Sequence, residues 1–489
     1  MILTKHNRKK AERFFSDVIK IGLDFKLQDA VTVERLTEMG GKKLIKELPE
    51  KGQSENDILN EFKKEVLPYC TNFSSKKFMG FPDSGNSIAA IGASFLYNLL
   101  QQNLINQSFC GPSATFIEIC VIKWLRETVG YKNGPISDIW DVGGIITPGG
   151  TASNAISALL ARENRFPNAM ERGISDLDKC WLIVPKGISH YSIKSGQMWA
   201  GCGNRLIEVE TNNFRYDLND LKEKLEKNRG KIMGLVAYAG DSRTMTVDNF
   251  DAIAKITKSI DPSIWLHADA CHGFSLGFSK KLRYKIKGIE TFDSITMDPH
   301  KVLATPYVLS ALLIKNPEKL KTITSLSDLI MQEKFAFGQI TPFLGTRSWH
   351  SLKLWFLMKN LGKKGLNDLI EKRYDLAVYL SKILKDDSDF ILINEIEINS
   401  VVFMYKGKIK INDINKLNFV NKKIHELIIK DGKYHLHQFS IIDAGKIKKG
   451  EIIYPQRYMS GNPKVTKNDL LKMIEYVRIL GGEVYKNLA

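Results

Sequence analysis

"GGIITPGGTASNAISALLAR" (143–162) joins a short apolar run, a Pro-Gly-Gly break and a stretch that reads as a helix. Strand, glycine turn and helix in that order form the repeating unit of an α/β domain. Further apolar runs follow up to about residue 320, at "WLIVP", "RLIEVE", "IMGLVAYAG", "IWLHADA", "DSITM" and "VLSALLIK", with helical stretches between them. The alternation predicts a largely parallel sheet. Ahead of it, "AERFFSDVIKIGLDF" and "ENDILNEFKKEVLPY" carry apolar residues three and four apart, so residues 11 to about 70 are expected to be helices that pack on another surface. Beyond it, a helical segment near 348–386 leads to the strand-like "NSVVFMYKG" and "YHLHQFSIID" and then to the amphipathic "KNDLLKMIEYVRIL". The expected division is an N-terminal helical segment at 1–75, a large α/β domain at 76–374 and a small C-terminal α+β domain at 375–489.

In a parallel α/β sheet, ligands sit beyond the carboxyl ends of the strands, so the residues after each apolar run carry the functional reading. After "GGIIT", Gly149, Gly150 and Thr151 lead into a helix, where backbone amides, the helix N-terminus and a hydroxyl suit a phosphate. The same residues also fit a plain glycine turn with Thr151 or Ser153 as N-cap. After "WLIVP" comes His190, which suits stacking on a flat ring or an ordinary surface position. After "IWL" come His267 and Asp269, two apart and so on one face of a continuing strand. A carboxylate buried there needs a cation or a donor, and a protonated pyridine nitrogen would serve. His267, Asp269 and His272 also read as metal ligands, but no further cluster completes such a set, and no metal is expected. After "DSITM", the turn "DPHK" brings Asp298, His300 and Lys301. A phosphate cradle, a stacking imidazole, a buried carboxylate and an imine-forming lysine are together what pyridoxal 5'-phosphate requires.

Composition narrows the field. The chain has 489 residues, 43% of them hydrophobic, enough for a large core. No apolar span approaches membrane length and the N-terminus does not read as a secretory signal, so a cytoplasmic protein without membrane association is expected. The six cysteines include no CxxC pair, and no disulfides are expected. The net charge of +17 is spread along the chain, which suggests a solvated basic surface and no nucleic-acid partner.

The segments "TPGGTASNAISALLAR", "HADACHGF" and "SITMDPHK", with His190 between the first two, resemble the group II pyridoxal-phosphate-dependent amino-acid decarboxylases, the family of glutamate, aromatic amino-acid and diaminobutyrate decarboxylases. "MGFPDSGNS", "GPSATFIE" and "LGTRSWHSLKLWFLMKNLGKKGL" extend the resemblance. It implies the aspartate-aminotransferase-like fold (fold type I), with a large parallel-sheet domain and a small C-terminal α+β domain, working as a homodimer with sites at the interface. It also implies decarboxylation of an L-amino acid to the amine and carbon dioxide. Residue by residue, Lys301 would hold the cofactor aldehyde, Asp269 the ring nitrogen's proton, and His190 would stack on the ring. Gly150, Thr151 and His300 would contact the phosphate. Pro82, Asp83 and Arg347 fall where the family lines its substrate pocket or carries an arginine.

One segment departs from the family. Members use a loop tyrosine to return a proton to the former α-carbon, but "TSLSDLIMQEKFAFGQITPFLG" (324–345) contains none, and Phe335 and Phe337 cannot donate. His190 or His350 would then take that role, or the product would be an aldehyde formed by oxidative deamination. A carbon–carbon lyase of the sphingosine-phosphate-lyase type is a further alternative, because "HADACHGF" is similar to the corresponding stretch there. A basic binding protein without chemistry has no need of the lysine and aspartate.

Overall fold

The computed structural model describes residues 2–324, 333–340 and 345–486. Its main sheet has seven strands: β1 (Gly144–Thr147), β2 (Trp181–Pro185), β3 (Leu206–Val209), β4 (Ile232–Tyr238), β5 (Trp265–Asp269), β6 (Ser294–Met297) and β7 (Ser310–Ile314). Their spatial order is β1-β7-β6-β5-β4-β2-β3. Only β7 runs against its neighbours, pairing antiparallel with both β1 and β6. Every residue of β4, β5 and β6 is buried, which is why these strands read as continuous apolar runs without alternation.

Helices cover the sheet and precede it: α1 (Arg8–Leu27), α2 (Ile88–Leu100), α3 (Pro112–Thr128), α4 (Gly150–Arg165), α5 (Tyr191–Trp199), the single turn α6 (Pro299–Val302) and the long α7 (Ser351–Asp386). The expected helix at 55–69 is regular only over Glu55–Glu61, and its last two turns widen and then tighten. A second, wholly antiparallel sheet follows, with strands β8 (Phe390–Leu392), β9 (Ser400–Tyr405), β10 (His437–Gln438) and β11 (Gln456–Met459) in the order β8-β9-β11-β10. Helices α8 (Ile414–Asp431) and α9 (Lys467–Lys486) pack with it.

Two apolar cores result, one around the main sheet and one around the second. They meet along α7, whose Leu352, Leu354, Leu357, Leu366 and Ile370 serve the first while Leu376, Ala377, Leu380 and Leu384 serve the second. Helix α1 is different, because none of its residues is buried. Its Phe15, Ile19, Leu23 and Leu27 are all exposed at a spacing of four, a continuous stripe along one face. No helix among the described residues is long and apolar enough to cross a membrane.

Candidate active site

A cavity of about 250 Å³ opens at the carboxyl ends of β1, β2, β4, β5 and β6. It gathers nine residues singled out in the sequence: Gly149, Gly150, Thr151, His190, Asp269, His272, Asp298, His300 and Lys301.

The glycine turn leaves β1 with Gly149 at φ +136°, a conformation that L side chains rarely adopt. Gly149 is also the N-cap of α4, and no side chain caps the helix, so neither Thr151 nor Ser153 serves as the cap. Ser153 instead meets Thr147, with the hydroxyl oxygens 2.6 Å apart. A side chain on Gly150 would place its Cβ 2.8 Å from Asp298 Oδ2 and 3.0 Å from Cys271 Sγ, so only glycine lets this backbone approach the cavity floor. An uncapped N-terminus of a long helix, opening into a cleft through two glycines, is a fitting seat for a phosphate.

Asp269 ends β5 and is 5% exposed. Its Oδ2 accepts a hydrogen bond from Asn154 Nδ2 at 3.0 Å. Asn154 lies on α4 and also donates to Ser192 Oγ (2.8 Å), while its Oδ1 faces His267 Nε2 (3.0 Å) and accepts from Thr296 Oγ1 (2.7 Å). Since Asn154 Oδ1 can only accept, His267 donates from Nε2, and its Nδ1 accepts from Ser294 Oγ at 2.8 Å. Both nitrogens of His267 are thereby used within the protein, which speaks against the metal-ligand reading. Burial pulls its pKa down to about 4, so the ring is neutral.

His190 is the N-cap of α5, its Nδ1 lying 2.7 Å from Ser192 Oγ and its amide donating to the Tyr238 hydroxyl at 2.9 Å. The ring is thus fixed at the cavity wall, and burial holds its pKa below the usual histidine value. His300 donates from Nδ1 to the Leu309 carbonyl (2.7 Å), which leaves Nε2 for the cavity. Lys301 Nζ stands 2.8 Å from Asp298 Oδ2. Burial disfavours its ammonium, but the carboxylates of Asp298 and Asp269, with Cys271 between them, outweigh that and raise its pKa. Asp298 is held far below the usual carboxylate range, because Lys301, His300 and a hydrogen bond from Ser310 overcome its burial.

Other expected residues stand apart from the cavity. Arg347 pairs with Glu118 at 3.0 Å, donates to the Ile146 carbonyl and lies over the Phe337 ring. His350 packs edge-on against Tyr97, Phe335 packs against Phe116, and Phe337 is fully buried. Most of the remaining 324–345 loop lies outside the described residues. Pro82 and Asp83 sit one layer out. Gly461 packs on Pro82 so closely that a Cβ there would lie 2.0 Å from Pro82 Cα.

Several cavity residues escaped the sequence reading. Asn154 follows Gly150 by one helical turn and Ser192 follows His190 by two residues, so spacing offered a signal for both. Tyr238, at the end of β4, offered none. Outside the lining, Arg457 on β11 offered none either; its guanidinium lies over the rings of Phe81 and Phe439 and donates to the carbonyls of Gly80 and of Ser242, a cavity residue. It is 2% exposed and has no carboxylate partner among the described residues, and burial pulls its pKa down to about 10.

The sequence profile described as "Pyridoxal-dependent decarboxylase conserved domain" matches residues 40–406. An aromatic-L-amino-acid decarboxylase of Bacillus atrophaeus is 24% identical over 90% of this chain and 88% of its own length. Human cysteine sulfinic acid decarboxylase is 29% identical over 79% of each chain. Among solved structures, mouse CSAD in its apo form superposes with a TM-score of 0.86 at 25% identity, covering 97% of this chain and 99% of that one. Oryza sativa TDC, solved with PLP and tryptamine, shares the fold with a TM-score of 0.86 at 18% identity, over 99% of this chain and all of that one. The fold is accordingly the fold type I architecture of pyridoxal-phosphate enzymes, and the lyase alternative finds no comparable support. The chain belongs to the pyridoxal-dependent decarboxylase family, enzymes that use pyridoxal phosphate to remove carbon dioxide from amino acids.

Proposed function

We propose that the chain converts an L-amino acid to its amine and carbon dioxide in the cavity at the sheet's carboxyl edge. The observation that carries this is the convergence of Lys301, Asp269, His190 and the uncapped start of α4 on one cleft. Pyridoxal phosphate, when bound, supplies the electron sink that lets the carboxylate leave. The protein's share is to hold and orient. Lys301 offers the amine for the aldehyde, and Asp269, buried and steadied by Asn154, offers a carboxylate to a protonated ring nitrogen. His190, fixed by Ser192 and Tyr238, would present an imidazole to the ring, while Gly150, Thr151 and His300 would hold the phosphate.

Arg457 is a buried cation beside the cleft that forms no ion pair among the described residues, Asp241 and Asp83 acting on it only at longer range, and the substrate's α-carboxylate is the anion that the reaction brings. Of the two histidines considered for returning a proton to the α-carbon, His190 lines the cleft and His350 does not, which favours His190. The active unit is a homodimer. The stripe Phe15, Ile19, Leu23 and Leu27 on α1, with Phe95, Leu96, Leu99 and Leu100 exposed on α2, is more apolar surface than a monomer keeps in water, and a second copy would cover it. The protein is assigned to the cytoplasm. The test is mass spectrometry of products after incubating the cofactor-loaded protein with a panel of amino acids. An amine lighter than its substrate by one carbon dioxide, absent with Lys301→Ala, is the expected result. No product from any amino acid would overturn the reading, and an unchanged product ratio in His190→Gln would remove His190 as proton donor.

A further inference from the structure

A second cavity, of about 800 Å³, shares no lining residue with the catalytic one. One wall is the end of α3, with Trp124, Glu127 and Thr128, and another is the segment 277–283. The third is α7 from Met358 to Asn367, which Gly362 interrupts at φ +60°. Arg126, in the same part of α3, donates to the carbonyl of Gly143 just ahead of β1. The end of α3 therefore sits at the amino edge of the sheet, whereas the catalytic cavity opens at the carboxyl edge.

The lining divides by chemistry. Its floor is apolar, since Met358 and Leu366 belong to the main core and Trp124 and Phe278, partly buried, pack against it. Its rim is cationic and exposed, with Lys280 and Arg283 on one wall and Lys359, Lys363 and Lys364 on α7. Glu127 is the one carboxylate in the lining, and it accepts from Asn133 at 3.2 Å. None of the five cations forms an ion pair among the described residues, although Lys281 between Lys280 and Arg283 finds Asp375 at 3.0 Å, and Lys359 lies over the Trp355 ring.

Like charges gathered around one cleft repel, and a multiply charged anion relieves that repulsion. Aromatic side chains below them give a planar ring a surface to stack on. The volume is that of pockets that enclose small organic ligands. We propose that this cleft is a binding site, separate from the catalytic cavity, for a nucleoside triphosphate. The base lies on Trp124 and Phe278, and the phosphates lie between the α7 lysines and the pair Lys280 and Arg283. Five cations less one carboxylate leave an excess of four positive charges in the lining, which suits a triphosphate better than a single phosphate. The site stands independently of the decarboxylase reading, and the failure of either leaves the other in place.

The test is isothermal titration calorimetry of the cofactor-loaded protein with ATP at about 0.15 M salt, where screening suppresses diffuse attraction to a basic surface. Saturable binding of one ATP per chain is expected, with the absorbance of the bound cofactor unchanged. Adenosine and tripolyphosphate, titrated separately, are each expected to bind at least about tenfold more weakly, because each keeps only part of the contacts. Lys363→Glu combined with Lys364→Glu is expected to weaken ATP by about tenfold or more, with cofactor absorbance and thermal midpoint close to the parent. Trp124→Leu is expected to weaken ATP by a similar factor and to leave tripolyphosphate binding as it was. Should that variant fail to fold, the lysine pair and the two part-ligands still decide the matter. Absence of saturable binding would return the five cations to the solvated surface and overturn the proposal. Tripolyphosphate binding as tightly as ATP would refute recognition of a base. ATP affinity unchanged by the lysine pair, or loss of the cofactor's absorbance during titration, would put the nucleotide elsewhere and refute the site.

Discussion

Acidification offers a quantitative test of the network behind Asp269. His267 is held neutral, with Nε2–H on Asn154 and Nδ1 on Ser294, and its folded pKa of about 4 lies below the ordinary histidine value of 6.5. Between those two pH values the unfolded chain binds a proton that the folded chain refuses, so stability rises with pH through the window. The contribution is fully present above pH 6.5 and is lost as pH falls toward 4. The gap between 6.5 and about 4 corresponds to about 3 kcal/mol. Urea unfolding at a series of pH values, for the parent and for His267→Gln, isolates this amount. The variant starts less stable at neutral pH, because one side of the Asn154 network is lost, but its stability declines less on acidification, by about 3 kcal/mol at the lower limit. His350 and His435, whose pKa values burial also pulls to about 4, act equally in both proteins and cancel in the comparison. Parallel decline in the two proteins would refute the neutral, doubly bonded His267.

Gly150→Ala forces a methyl group against Asp298 and Cys271, an overpacking of about 1–3 kcal/mol. Titration of pyridoxal phosphate followed by its absorbance should show affinity reduced by about tenfold or more. Lys353→Met leaves three carbonyls of the 306–308 segment without their donor, and a loss of about 3 kcal/mol is expected in urea unfolding, partly offset by removal of a buried charge. Ile19→Asp combined with Leu23→Asp places charge in the exposed stripe of α1, and sedimentation velocity should register dissociation of the proposed dimer. An unchanged sedimentation coefficient would remove α1 from the interface.

Residues fixed by chain geometry were legible in the sequence, and residues fixed by long-range packing were not. Gly150, His190, Asp269 and Lys301 each follow an apolar run, so the rule that ligands sit at strand ends reached them directly. Antiparallel β7 was hidden, because a fully buried strand has the same composition in either direction. Arg347 and Arg457 show the opposite hazard. Both are buried arginines in suggestive contexts, but the first pairs with the carboxylate of Glu118, while the second meets only rings and carbonyls. A linear sequence does not disclose which arginine has its counter-ion.

The long helix α7 also bears on how the protein unfolds. Because its first half completes one core and its second half the other, loss of either core strips part of the helix, already broken at Gly362 (φ +60°), of its packing. The two units are therefore cooperative, and damage at Leu380 or Leu384 registers as a global fall in stability rather than as local fraying. A chain ending near residue 374 would keep every cavity side chain from Gly149 to Val308, but would cut α7 in mid-course and remove Arg457. Such a fragment would also lose Ile398 and Met459, which pack in the first core, so the small unit completes the packing of the part that carries the cavity.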